Sequence, residues 1–166
     1  MKSIVPRTLI AIIAISISAL AKAQDITLPE LIKLRSQSVE EMKKFAESKG
    51  YTQDEDSTRD GQRQVMYSHV SGPRINETAR ILIYRQNLKS KDFELDYSST
   101  VDSEADSARA WLKKNGFRQT GRTKPREQST EYIFSKGSKL IRFQETEITT
   151  DERLYSITIK SKEYAQ

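Results

Sequence analysis

The chain has 166 residues, with 28 lysines and arginines against 23 aspartates and glutamates, no cysteine and one histidine. These counts exclude disulfide bonds, thiolate metal sites and cysteine nucleophiles, and they make any Ser-His-Asp triad or multi-histidine zinc site depend on His69 alone. The length is that of one ordinary domain, which can bury a core without covalent cross-links.

The N-terminus has the three-part layout of a secretory signal peptide. Lys2 and Arg7 form a short basic region, residues 8–20 are almost wholly apolar, and Ala21 and Ala23 are the small residues that a signal peptidase requires. We expect cleavage after Ala23 and export to a periplasm or the extracellular space, most naturally in a bacterium. A transmembrane anchor is the alternative, but spanning a bilayer takes about 20 apolar residues and this run is shorter.

Removal of the signal peptide changes the charge balance. The discarded segment contains three basic residues and no acidic one, so the remaining chain has 25 basic and 23 acidic residues and a net charge near +2. Both signs alternate along it, as on an ordinary solvated surface. We therefore expect neither nucleic-acid binding nor a membrane span in the mature chain.

Two parts of the chain resemble each other at an offset of 66 residues. Residues 45–51 (FAESKGY) and 111–117 (WLKKNGF) share an aromatic residue, a charged turn, a glycine and a second aromatic residue. Similar strand-like blocks follow in the same order in each half. We predict a signal peptide at 1–23 and one globular body of two repeats, 24–99 and 100–166.

Helices are predicted at the start of each repeat. Between Leu28 and Ala46 apolar residues recur at steps of three and four, which is typical of a helix with one buried face. Thr27 and Glu30 have the spacing of a capping box. Gly50 ends this helix, and Gly116 ends the matching helix of the second repeat.

Three strands are predicted after each helix, because apolar and polar residues alternate there. Their centres are 65–68, 81–84 and 93–97 in the first repeat, and 132–135, 140–143 and 155–159 in the second. The predicted fold is α+β, with tandem duplicated α-β-β-β units and an antiparallel sheet whose helices pack on one face. Two arrangements fit: one continuous six-stranded sheet, or two small sheets that meet through their helices.

The connection after the first helix is acidic. Asp56, Thr58 and Asp60, followed by glycine, resemble the start of a calcium loop, in which alternate oxygens chelate the ion. The position that requires a bidentate glutamate holds Tyr67 instead. We therefore expect no metal and no cofactor, and interpret the segment as an acidic connection with Asp60 in its turn.

The matching connection of the second repeat, 121–126 (GRTKPR), is basic. It lacks the glycine spacing of a phosphate-binding loop, and no aromatic residue interleaves with it. We interpret it as a solvated loop, with attraction to phosphates, anionic lipid or an acidic partner as the alternative. If the two repeats are related by a twofold axis, the molecule is dipolar.

The preferred functional hypothesis is a non-catalytic secreted or periplasmic binding module. Matching the repeats places five charged residues on the polar face of the sheet, where they are the candidates for contacting a protein partner. They are Arg85, Arg142, Lys160, Glu94 and Asp96. The alternative is a carboxylate-based hydrolase with its site between the two repeats, for which the sequence offers no constellation of residues to name as catalytic.

Overall fold

A computed structural model describes residues 25–71, 78–90 and 93–161. The predicted signal peptide lies outside the described residues. Within those ranges the chain forms three helices and eight strands. The helices are α1 (Leu28–Leu34), α2 (Val39–Ser48) and α3 (Asp102–Lys114). No helix in the described part of the chain is long and apolar enough to cross a bilayer.

The eight strands form one antiparallel sheet. In chain order they are β1 (Thr52–Arg59), β2 (Gln62–Ser71), β3 (Thr78–Asn87), β4 (Phe93–Ser99), β5 (Arg118–Arg126), β6 (Ser129–Lys136), β7 (Lys139–Glu147) and β8 (Arg153–Ser161). Their order across the sheet is β1-β2-β3-β4-β8-β7-β6-β5. Each half is therefore a four-stranded meander, and the halves meet where β4 pairs with β8. Of the two predicted arrangements, one continuous sheet is observed, with eight strands instead of the predicted six.

The prediction of three strands in each repeat is wrong by one. β1 and β5, which we interpreted as an acidic connection and a basic loop, are the two edge strands of the sheet. Nearly every residue of both strands is exposed, so neither carries the apolar alternation that marks a half-buried strand. Charged edge strands of this kind are common because charge discourages edge-to-edge aggregation.

The predicted first helix is two helices. Ser38 begins α2, because its main-chain N–H donates to the Glu41 carboxylate (2.8 Å) while its side chain accepts from the Glu41 N–H (3.3 Å). This second capping box interrupts the helical face that the apolar spacing suggested. The predicted box at α1 is present too, with the Thr27 N–H donating to Glu30 over 2.8 Å.

Helices α2 and α3 end in the same geometry. Gly50 and Gly116 follow them with φ of 79° and 74°, a left-handed conformation that favours glycine. In each case the next residue turns back to donate to the helix: the Tyr51 N–H to Ala46 (3.0 Å) and the Phe117 N–H to Leu112 (3.1 Å). Each of these residues in the first repeat lies 66 positions before its counterpart in the second: Gly50 and Gly116, Tyr51 and Phe117, Ala46 and Leu112.

Alternate residues of β2, β3, β4 and β8 are buried, and they form one core with the buried residues of β7 and of the three helices. On β4, for example, Leu95 and Tyr97 are 1% and 2% exposed, while the residues between them are only partly buried. The sheet thus has one face that packs against the core. We call the opposite face, to which the partly buried residues between the buried ones point, the alternate face.

Candidate functional site

Four of the five predicted binding residues lie together on the alternate face, at the middle of the sheet. We call Arg85 on β3, Glu94 and Asp96 on β4, and Lys160 on β8 the charge ladder. Arg85 forms ion pairs with Asp96 and with Glu94, and Lys160 forms one with Glu94. The ladder crosses the β4–β8 junction, so these pairs link the two halves of the molecule.

Asp96 is the most buried member of the ladder, with 13% of its side chain exposed. Its burial raises its pKa, against the opposing effects of the Thr158 hydroxyl and the Arg85 guanidinium. Arg85 also donates through Nε to Gln64 (3.0 Å). The ladder charges are therefore largely satisfied by one another, which is the arrangement of a sheet-stabilising network.

Arg142 lies on the same face but outside these ion pairs. It occupies β7 directly opposite Thr158. Its Nε is buried and has no hydrogen-bond partner among the described residues. Of the five predicted binding residues, Arg142 is therefore the one that lies outside the charge ladder.

The residues proposed for calcium do not converge. Asp56 on β1 accepts two hydrogen bonds from Arg63 of the adjacent strand (3.0 and 2.8 Å), which also hold its pKa below the usual range. Thr58 follows on the same strand, and Asp60 sits in the hairpin turn with φ of 51°, beside Arg59. Within 25–71, 78–90 and 93–161 no three His, Cys, Asp or Glu side chains gather as a metal site would require.

His69 lies on β2, where its ring is 5.6 Å from that of Tyr51. Its Nδ1 is 3.1 Å from the carbonyl oxygen of Gly50, so the ring helps fix the end of α2. This contact gives His69 a structural role.

A concave pocket lies on the core face of the sheet, where the two halves meet. This pocket of about 300 Å³ is lined by the segment that leads into α1, one side of α3, and strands β4 and β8. We call it the junction pocket. Its walls are mainly apolar, and they include Ile26, Ala105, Ala108, Trp111 and Ile157.

One end of the junction pocket is polar, and an ion-pair network holds it together. Arg80 on β3 donates through Nε to Glu104 of α3 (2.7 Å) and through a terminal nitrogen to Asp25 (2.9 Å). The Tyr97 hydroxyl donates to the other Glu104 oxygen (2.7 Å). We call these four residues the junction network; Asp25, Glu104 and Tyr97 line the pocket, and Arg80 lies behind them.

Burial governs the electrostatics of this network. The side chains of Arg80 and Glu104 are only 5% and 11% exposed. Burial acts to raise the pKa of Glu104, but hydrogen bonds from Arg80, Tyr97 and Ser99 outweigh it and hold the pKa below its usual value. Desolvation and the neighbouring Glu104 instead raise the pKa of Asp25.

Tyr97 of the network and its neighbour Tyr51 are held as neutral phenols. Burial raises the pKa of Tyr51 to about 12 and that of Tyr97 further still. The polar end of the pocket therefore combines two carboxyl groups with unequal proton affinity, one guanidinium and neutral hydroxyl groups. Such a set can accept hydrogen bonds from a ligand and carries net negative charge.

Comparisons of the chain with protein-family models, with curated proteins and with solved structures found no match.

The junction network left one signal in the sequence. Arg80, Leu82 and Tyr84 alternate along one strand, so Arg80 occupies a position that the pattern assigns to the core face. A buried arginine requires a carboxylate partner. That partner, Glu104, is 24 residues away, and local spacing could not identify it.

Proposed function

We propose that this protein is an exported, non-catalytic binding module that holds a small amphipathic ligand in the junction pocket. The observation that carries the proposal is the combination of an apolar cavity of about 300 Å³ with a polar, net negative end. A mostly apolar pocket with a few convergent polar groups and perturbed pKa values is the usual form of a small-molecule site.

The chemistry of the pocket favours one ligand class. Apolar walls such as Trp111 and Ile157 favour a hydrocarbon or aromatic body. Asp25 and Glu104 offer acceptor oxygens, and the single Arg80 guanidinium does not neutralise both carboxylates. A ligand with an amine or another hydrogen-bond donor at one end therefore suits the site better than an anion.

Several observations support the duplication that this proposal includes. The bulge in β1 falls between Gln53 and Glu55, and the bulge in β5 falls between Gln119 and Gly121. These positions differ by the same 66 residues as the helix-ending glycines. We infer that an ancestral helix-and-sheet unit was doubled, with the helices packed on one face, and that the pocket formed where the two copies met.

Trp111, the single tryptophan of the chain, lines the pocket and supplies a direct test. We expect its fluorescence to change saturably on titration with an n-alkylamine. An n-alkyl sulfate of equal chain length should bind at least about tenfold more weakly, because its anionic head would face the carboxylates. Equal affinity for both probes, or no saturable change, would remove the proposed ligand class.

A matched pair of variants tests whether the change in Trp111 fluorescence reports binding in the pocket. Ser107 and Ala110 are both exposed on α3, but Ser107 lines the pocket and Ala110 does not. We expect Ser107→Phe to fill the entrance and abolish alkylamine binding, while Ala110→Phe leaves it unchanged. Equal loss in both variants would indicate an effect on α3 rather than on the site.

A carboxylate-based hydrolase remains the second candidate, favoured by the unequal proton affinities of Asp25 and Glu104 at the pocket end. Both carboxylates contact the same terminal nitrogen of Arg80 (2.9 and 2.6 Å), which suits a structural ion pair better than an acid and base placed around a substrate. Hydrolysis of a polysaccharide or protein substrate that disappears in Glu104→Gln, with the variant folded by circular dichroism, would support the enzyme instead.

A protein partner at the alternate face is also part of the proposal, with Arg142 as its main anchor. The position of Arg142 on this face, outside the ion pairs of the charge ladder, is the observation that favours this contact. Reversing the charge of Arg85 and Arg142 together should abolish capture of such a partner. Retained capture by a folded double variant would exclude this face.

A further inference from the structure

The two edge strands of the sheet carry opposite charge. β1 and its turn contain Asp54, Glu55, Asp56 and Asp60 against the single Arg59. β5 contains Arg118, Arg122, Lys124 and Arg126 and no acidic residue. These strands end the sheet on opposite sides, and neither has a strand partner on its outer side among the residues that the structure describes.

We propose that β1 of one copy of this chain pairs with β5 of a second copy, so that the sheets join head to tail. All neighbouring strands in the sheet are antiparallel, so the first and the eighth strand in its order point in opposite directions. A second copy translated along the sheet therefore presents β5 antiparallel to β1. The antiparallel alternation of strand direction therefore continues from one copy into the next.

The charge pattern selects this contact over the symmetric ones. Twofold pairing of β1 with β1 would oppose carboxylates, and pairing of β5 with β5 would oppose arginines and lysines. Like charges opposite each other destabilise a strand pair, and opposite charges stabilise it. Only the β1–β5 combination is complementary. Such a contact is heterologous, so it extends to chains of copies rather than closing at a dimer.

Backbone features restrict the strength of the contact. Bulges interrupt both strands, and Pro125 lacks an N–H group, so the regular stretches are Glu55–Arg59 on β1 and Gly121–Thr123 on β5. Few ladder hydrogen bonds can form, and charge must supply much of the attraction. We expect weak association that salt screens, since the Debye length falls from about 30 Å at about 0.01 M to about 3 Å at about 1 M ionic strength.

Sedimentation velocity of the mature chain, from residue 24 onward, tests the proposal. At low ionic strength the weight-average mass should rise with concentration beyond that of a dimer, and at high ionic strength it should return to that of a monomer. A monomer at every concentration in low salt would overturn the proposal. So would association that salt does not weaken.

Charge-reversed variants make the test specific. Asp54→Lys with Glu55→Lys gives two basic edges, and Arg118→Glu with Arg122→Glu and Lys124→Glu gives two acidic edges. Each variant alone should remain monomeric, and an equimolar mixture should recover association, because both edge combinations are then complementary. Failure of the mixture to associate, with both variants folded by circular dichroism, would overturn the proposal.

Cross-linking locates the contact independently of charge reversal. Because the chain contains no cysteine, Thr58→Cys on β1 and Thr123→Cys on β5 each introduce a single thiol. With a short bismaleimide in low salt, a mixture of the two proteins should give the mixed dimer in excess over either homodimer. A statistical distribution of the three products would place the contact elsewhere on the surface.

Discussion

Arg80 and Arg85 lie on the same strand, five residues apart, and each binds two carboxylates, yet their surroundings differ. Arg80 faces the core, with 5% of its side chain exposed, and pairs with Glu104 and Asp25. Arg85 faces the opposite way, with 38% exposed, and pairs with Glu94 and Asp96. Each arginine pairs with one aspartate and one glutamate. Comparing the two therefore separates the effect of burial on stability from the effect of charge pairing.

The largest expected effect is that of Arg80→Met. Methionine removes the guanidinium and leaves the Glu104 carboxylate buried without its cation, and breaking a buried pair in this way costs about 3–5 kcal/mol. Urea denaturation measures the loss in the free energy of unfolding. Arg85→Met is the matched control on the same strand. A loss below about 1 kcal/mol in Arg80→Met would mean that the junction network contributes no more than a surface pair.

Glu104→Gln should have an intermediate effect that depends on pH. Hydrogen bonds to charged groups contribute about 1.5–3 kcal/mol, and glutamine cannot carry the charge. Because the folded chain lowers the pKa of Glu104, its contribution is complete above the usual value of 4.5 and is lost as the pH falls through the folded pKa. The difference in unfolding free energy between wild type and variant should therefore shrink on acidification.

Asp25→Asn supplies the opposite control for this pH dependence. The pKa of Asp25 is raised in the folded chain, so ionisation of Asp25 reduces stability as the pH rises above the usual value of 3.8. Replacing it with asparagine should remove that decrease. A difference from wild type that does not vary with pH in either variant would contradict the assigned pKa directions.

The smallest effect is expected for Arg85→Met. More than a third of the side chain is exposed, so solvent screens its ion pairs and the loss should be about 0.5–1 kcal/mol. The loss should diminish further in high salt, whereas that of Arg80→Met should not. Equal salt dependence in the two variants would show that burial does not distinguish the two arginines.

Local patterns in the sequence predicted the inner sheet but not its edges. Phe93, Leu95 and Tyr97 alternate with polar residues because one side of β4 is in the core, and Tyr155, Ile157 and Ile159 do the same on β8. The edge strands are exposed to solvent on both faces, so their sequences do not alternate between apolar and polar residues. Their hydrogen bonds to β2 and β6 are the reason they are strands.

The candidate residues show the same division. Matching the repeats grouped Arg85, Glu94, Asp96 and Lys160 on one face, because strand register follows from alternation once the pairing order is known. The junction pocket required contacts between distant parts of the chain. Asp25 and Arg80 are 55 residues apart, and no periodicity relates them.

The order of strands across the sheet bears on how the chain folds. Six of the seven strand pairs in the described sheet join consecutive strands, so each meander can form from local contacts. The remaining pair joins β4 to β8, with Leu95 opposite Ile159. Closing that long loop costs more chain entropy than forming any hairpin, which makes β4–β8 docking the natural slow step of folding. Because the hairpins form before that step, substitutions that weaken them should slow refolding, and so should substitutions at the β4–β8 pair, whereas substitutions at contacts made only after docking should chiefly accelerate unfolding.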